Sequence, residues 1–264
     1  MSPHVLAAAH SEGFEAPTPA DFWQPLVGDG AFALTRPMVL MALSVVLIAA
    51  FFLVVSRRLS LVPSRLQFAT EGLYNIVRNS VAIDLIGSRD FRPFLPLLLT
   101  QFSLILVNNV FGIIPVIQFP TFSRIGFAVA VTLITYVVYH AIGFRKKGFG
   151  GYLGSLVPSG VPGWIAPFIW LLEAFTFFVT RPLTLALRLF ANMFAGHMLL
   201  LVFILGGEYM LLHGSNPFIQ VASIGSFAMG IVMTFFELLV QFLQAYVFVL
   251  LTALYIAGNL ADEH

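Results

Sequence analysis

The 264 residues include no cysteine, which removes disulfides, thiol catalysis and thiolate metal sites together. Charge is nearly as scarce. Asp, Glu, Lys and Arg make up 9% of the chain, against roughly 25% in a soluble globular domain. With a net charge of +1, the sequence has no basic face to neutralise phosphates, so nucleic acid is excluded as a partner. The segment before Arg36 has no lysine or arginine at all. Lacking a basic n-region and an apolar core of adequate length, it is not expected to be a cleaved signal. Phosphate-cradling chemistry is absent too: the Gly-rich GFGGYLG at 148–154 lacks the Lys-Ser/Thr of a P-loop. No His/Asp/Glu group has metal-ligand spacing, so neither metal nor cofactor is expected.

Apolar residues are abundant, at 59% of the chain. The mean hydropathy is +0.95. Runs long enough to cross a bilayer recur, so the expected fold class is an all-α polytopic membrane protein. Residues 1–35 are polar and Pro-rich, with Glu12, Glu15, Asp21 and Asp29, and form an outer segment. A first transmembrane helix occupies 36–58. Within 59–92, Leu66, Leu73, Ile76, Val77 and Ile83 fall near helical spacing between charges, which predicts an interfacial amphipathic helix. Residues 93–147 hold two more spans, Phe94 to Ile117 and Ile125 to Phe144, and 148–163 is a connection. Arg57, Arg58, Arg65, Arg78, Arg89, Arg92, Arg145, Lys146 and Lys147 all fall on one side of this layout, with only Arg36 and Arg124 opposite. The positive-inside bias then makes the N-terminus external and the basic loops and C-terminus cytoplasmic.

Residues 164–264 break the pattern. Trp164 to Leu205 and Pro217 to Asn259 are each about 60 Å long as helices, twice the roughly 30 Å hydrocarbon core. Pro182 is the only turn candidate near the middle of the first run. Two long, strongly tilted helices packed as a hairpin are therefore expected, with a large partner covering part of them.

Polar groups in these runs recur at helical spacing. Arg181, Thr184, Arg188, Asn192 and Ala195 form one stripe; Ser223, Ser226, Gly230, Glu237, Gln241 and Gln244 form a second. An ionisable residue at this depth costs at least about 2.5–3.5 kcal/mol and is a functional hypothesis by default. Arg188 lies too far from either end to snorkel easily. It either pairs structurally with Glu237 or faces a mobile carboxylate or substrate, a role suited to arginine, which keeps its proton where lysine could become neutral. Arg181 and Glu173 have alternatives as a headgroup anchor and a helix-entrance residue. The amides of Asn192, Gln241 and Gln244 are open to cross-helix hydrogen bonding. His197 sits half a turn from the Arg188 stripe, towards the outer end, and is read either as part of an outer access path or as a bonded interface histidine. Glu208 and His213 fall in an expected outer loop, GGEYMLLHGSNP.

RPLTLALRLFANMFAGH, followed by FELLVQFLQAYVFVLLTALYIAGNLADEH, resembles subunit a of F-type ATP synthases, the stator half of a proton channel. The resemblance is strong over the last 90 or so residues. FLPLLLTQFSLILVNNVFGIIP is similar to the family's Asn-containing inner span. It implies that Arg188 is the essential cation facing each carboxylate of a rotating c-ring. Glu237 and His197 would serve an outer half-channel with Asn192, Gln241 and Gln244 beside them. Glu173, Thr184 and Arg181 would serve a cytoplasmic half-channel, although Glu173 stands one residue further from Arg181 than the resemblance leads one to expect. The implied partners are the c-ring, peripheral-stalk b subunits, lipid and protons. The implied setting is a bacterial plasma membrane, with the mitochondrial inner membrane as the alternative. The chain would not make ATP itself. A self-contained transporter of an anionic substrate is the rival, and predicts an internal repeat that the sequence lacks. Sodium coupling is a further alternative.

Overall fold

The computed structural model describes residues 18, 25–27, 34–57, 60, 64–114, 117, 119, 121–157, 160–214 and 216–260. Most of the acidic N-terminal segment, Arg58 and the terminal Glu263–His264 lie outside the described residues.

A short antiparallel pair, β1 (Pro25–Val27) with β2 (Leu34–Thr35), precedes an otherwise helical chain. The first span is α1 (Arg36–Arg57). The amphipathic segment is α2 (Arg65–Val77), capped by Ser64, whose hydroxyl accepts from the Gln67 N–H at 3.3 Å. It runs on as a π-helical stretch, Arg78–Ile86, which ends at Gly87, whose φ of 97° is open to glycine. The second span is shorter than its apolar run suggests: α3 (Leu95–Val110) stops after the Asn108–Asn109 pair. The third is longer. α4 (Ile125–Gly154) passes Phe144 and takes in the first part of the expected connection, with Gly148 at φ 69° marking a break inside it.

The C-terminal third is built from α5 (Ala166–Phe175), a π-helical turn Thr176–Thr180, α6 (Arg181–His213) and α7 (Pro217–Leu260). α5 to α6 is one unbroken helical run of 48 residues and α7 has 44. Neither is a hairpin of short spans. α6 and α7 pack on each other along their length, and α3 and α4 support α7 from behind. The run also extends past Leu205, which corrects the expected outer loop: Glu208 and His213 are helical and exposed, with the His213 ring stacked on Tyr209 at 4.9 Å. Gly206 and Gly207 open the segment expected as a loop. Gly207 instead sits where the two helices touch, since a Cβ there would lie 3.3 Å from Phe227 and Ser226.

Lipid offers no hydrophobic drive between helices, so small residues and hydrogen bonds hold them. Ala245 and Ala253 are fully buried beside Phe102, Ile105 and Leu189. Gln101 donates to Thr135 at 2.9 Å, and Asn259 donates to the Tyr139 carbonyl at 2.7 Å. Lys146 donates to the carbonyl of Leu260, tying the end of α7 to α4.

Gly143 is where Tyr152 folds back to meet His140 at 2.7 Å; a Cβ there would lie 2.1 Å from the Tyr152 ring. Gly143→Ala is expected to displace that ring and lower stability by about 1–3 kcal/mol, the usual range for overpacking. Thermal unfolding of the detergent-solubilised complex is the check, with Gly72→Ala, where a Cβ meets nothing, as the neutral control.

Candidate functional site

On α6, the residues Thr184, Arg188, Asn192 and Ala195 are all exposed, while Leu185, Leu189, Met193 and His197 are buried. On α7 the polar stripe turns the other way: Ser223, Gly230, Glu237, Gln241 and Gln244 are buried against α6. Both stripes follow from the helical period of about 100° per residue. Opposite faces of one helix thus carry Arg188 and His197.

Asn192, Glu237, Gln241 and Gln244 come together around one cavity of about 340 Å³, completed by Met193, Ala195, Gly196, Leu199, Met233, Phe236 and Val240. Asn192 crosses to donate to Gln244 Oε1 at 2.6 Å. Glu237 reaches across at Gly196, where a Cβ would lie 3.2 Å from its Oε1. Both Glu237 oxygens and both polar atoms of the Gln241 amide are buried without a hydrogen-bond partner. An unpartnered buried polar group is costly, and this cavity, apolar over most of its wall but bearing the Glu237 carboxylate and three amides, has room for several waters at ~30 Å³ each. Glu237 is therefore not held by Arg188, and a structural ion pair between them is absent.

His197 is 2% exposed but does not line this cavity, nor does Arg188. Asn109, which the period of a single helix could not assign, arrives from α3 and donates to the Gln241 carbonyl at 3.3 Å. Its neighbour Asn108 donates to Ser44 of α1 at 2.8 Å. The interruption of an apolar span by two asparagines was the available signal; their partners lie in other helices.

Glu173 and Arg181 meet in a second, mostly polar cavity of about 190 Å³. Lys147, Tyr152, Ser155 and Asn259 line it as well, none of them singled out by the sequence stripes. The Arg181 guanidinium lies over the rings of Phe177 at 4.2 Å and Tyr255 at 5.3 Å. Thr184 is not part of this chamber: its hydroxyl donates back to Thr180 and Arg181 carbonyls at 2.8 and 3.1 Å.

Arg188 stands between the two cavities along α6, about 10 Å from Arg181 and about 6 Å from Asn192 at 1.5 Å per residue. It is exposed. The exposed faces of α6 and α7 carry Leu183, Leu187, Phe235, Phe236, Leu239 and Leu243, all at least 40% exposed, with Leu187 next to Arg188. No group of three or more metal-ligating side chains occurs among the described residues.

The family model for the ATP synthase A chain matches residues 38–257. A protein of a Nocardioides species named ATP synthase subunit a is 47% identical, with 98% of each chain covered. One of the same name from Pseudarthrobacter chlorophenolicus is 46% identical over 87% of this chain and 86% of its own. Another from Streptomyces lividans is 39% identical, covering 96% and 90%.

Proposed function

The chain belongs to the ATP synthase A chain family, and we propose that its two cavities are the two half-channels that carry protons to and from a rotor, with Arg188 as the fixed cation between them. The observation that carries this is the offset of the cavities. One gathers α7 residues Met233 to Gln244 and the other Tyr255 to Asn259, about 16 Å further along the helix from Gln244 to Tyr255. The two cavities share no lining residue, so on this reading a proton in one does not pass directly into the other. It must be handed to something that moves.

The rotor supplies a carboxylate on a small apolar subunit of the c-ring, which docks on the apolar face around Arg188. A proton from the external side passes Glu237 and protonates that carboxylate. Neutral, the carboxylate enters lipid, where its anion would be too costly. After most of a revolution it releases the proton towards Glu173 and the cytoplasmic cavity, and then passes Arg188 as an anion. A cation beside a carboxylate favours the ionised form and repels a proton attempting the short route. His197, buried behind the Arg188 face, extends the external path. Each charge moved down the potential is worth about 2.3 kcal/mol per 100 mV, delivered as rotation to the part of the complex that makes ATP. The chain itself catalyses no phosphoryl transfer. Its setting is the bacterial plasma membrane with the N-terminus outside.

Purification through a tag on this chain is expected to bring down a small, very apolar subunit in stoichiometric excess. A cysteine at Leu187, beside Arg188, is expected to cross-link to it; one at Val46, exposed on α1, is not. Transport of protons or an anionic substrate by the purified chain alone would sink the proposal.

A further inference from the structure

Glu173 and Arg181 share a cavity that ordinary helical geometry would deny them. They are eight residues apart, and eight α-helical steps turn about 800°, leaving the two side chains about 80° apart around the axis. Seven steps turn about 700° and leave them only about 20° apart. Between them lies the π-helical turn Thr176–Thr180. There the Arg181 N–H bonds the carbonyl of Thr176, five residues back rather than four, so the turn absorbs one extra residue.

The local sequence explains why the extra residue lodges at this point. Pro182 follows the turn and has no N–H, so Phe177 has no donor five residues on and Phe178 none four residues on. The freed Phe177 carbonyl accepts instead from the Tyr139 hydroxyl of α4, at 3.3 Å. The Phe177 ring is buried and lies under the Arg181 guanidinium at 4.2 Å. The π turn is thus supported from outside its own helix, and the support and Arg181 meet at one residue.

We infer that the Thr176–Thr180 turn is a register device: it rotates α5 so that Glu173 faces the cytoplasmic cavity with Arg181, and Tyr139 is the residue that holds it. The part Glu173 then plays in proton release rests on the half-channel proposal above, whereas the register does not.

The absence of cysteine from the chain makes the register directly readable. In inverted vesicles carrying the whole complex, Glu173→Cys is expected to react with a membrane-impermeant maleimide, and Leu172→Cys, which faces outwards at 51% exposure, is not. Deleting Val179, an exposed π-turn residue, should return the turn to α geometry with both flanks still in phase. The labelled position is then expected to stay at 173 and ATP-driven proton pumping to remain within about twofold. If the deletion moves the label to 172, or if Glu173→Cys is unlabelled in the intact-length chain, the register device is overturned. Inserting one alanine after Phe175 is expected to move the label to Ala174→Cys and to cut pumping at least tenfold; a label that stays at 173 overturns the inference as well. Unchanged pumping in Glu173→Gln removes that residue from the proton path, and leaves Arg188 and the external cavity as they stand.

Discussion

Arg188→Ala is expected to abolish proton-driven ATP synthesis while the assembled complex still hydrolyses ATP, with a rise in passive proton leak. The reason is electrostatic rather than structural. Arg188 is exposed, and the residues that pack α6 onto α7 and α4 are Leu185, Leu189 and Met193 on its other side. Truncation therefore costs little packing. On the proposed mechanism, what it removes is the cation that an ionised rotor carboxylate meets between the cavities. Without it the anion bears at least about 2.5–3.5 kcal/mol more, the insertion cost of a charge at membrane depth. At 1.4 kcal/mol per factor of ten, the coupled rate falls by at least about two orders of magnitude, which leaves no synthesis above background. With no repelling charge, a proton also has a shorter way from one cavity to the other by the same carboxylate. Synthesis and acidification in sealed vesicles separate the two effects, and near-normal synthesis in this variant would remove Arg188 from the mechanism.

Much of this arrangement is written in the period of two helices. Thr184, Arg188, Asn192 and Ala195 recur at steps that must share a face, and they do; Glu237, Gln241 and Gln244 recur likewise and are buried together. Such local regularity needs no tertiary knowledge. What escaped were the contacts between distant segments. Asn109 meets Gln241 across 132 positions of sequence, and the cavity that holds Glu173 and Arg181 takes Lys147, Tyr152 and Ser155 from α4 and the turn after it, and Asn259 from the end of α7. The family resemblance placed Thr184 in a cytoplasmic half-channel, but its hydroxyl is spent on its own backbone. The segment from Gly206, expected as a loop, stays helical, and Gly207 leaves room for Phe227 of the neighbouring helix. The π turn left a faint trace, the extra residue between Glu173 and Arg181 followed by Pro182. Propensity scales have no term for it, because its donor comes from Tyr139 on another helix.

The second large effect is expected at Glu237. The residue is 6% exposed, its carboxylate oxygens are buried without a hydrogen-bond partner, and Gly196 leaves it room on the facing helix. A structural carboxylate in such a place would be paired or solvated by fixed donors. A relay must instead exchange its partner for transient water, and the 340 Å³ cavity in front of Glu237 has space for that water. Glu237→Gln keeps volume and shape but cannot carry a proton, so assembly with the rotor is expected to be unchanged. Proton flux in both directions should fall about 10²-fold, the lower range for loss of a positioned proton-transfer group. Glu237→Asp retains a titratable group one methylene short, and is expected to recover part of the flux. The measurement is the initial rate of ATP-driven acidification together with synthesis under an imposed gradient. Equal rates for the glutamine and wild-type chains would exclude Glu237 from the path. Equal loss in the glutamine and aspartate variants would point to shape instead of proton transfer. Gln241→Leu, which removes the amide beside Glu237 but no ionisable group, is expected to slow flux by less than either. That ordering follows from the chemistry: water in the cavity can replace a lining amide, but it cannot replace a group that takes up and releases the proton.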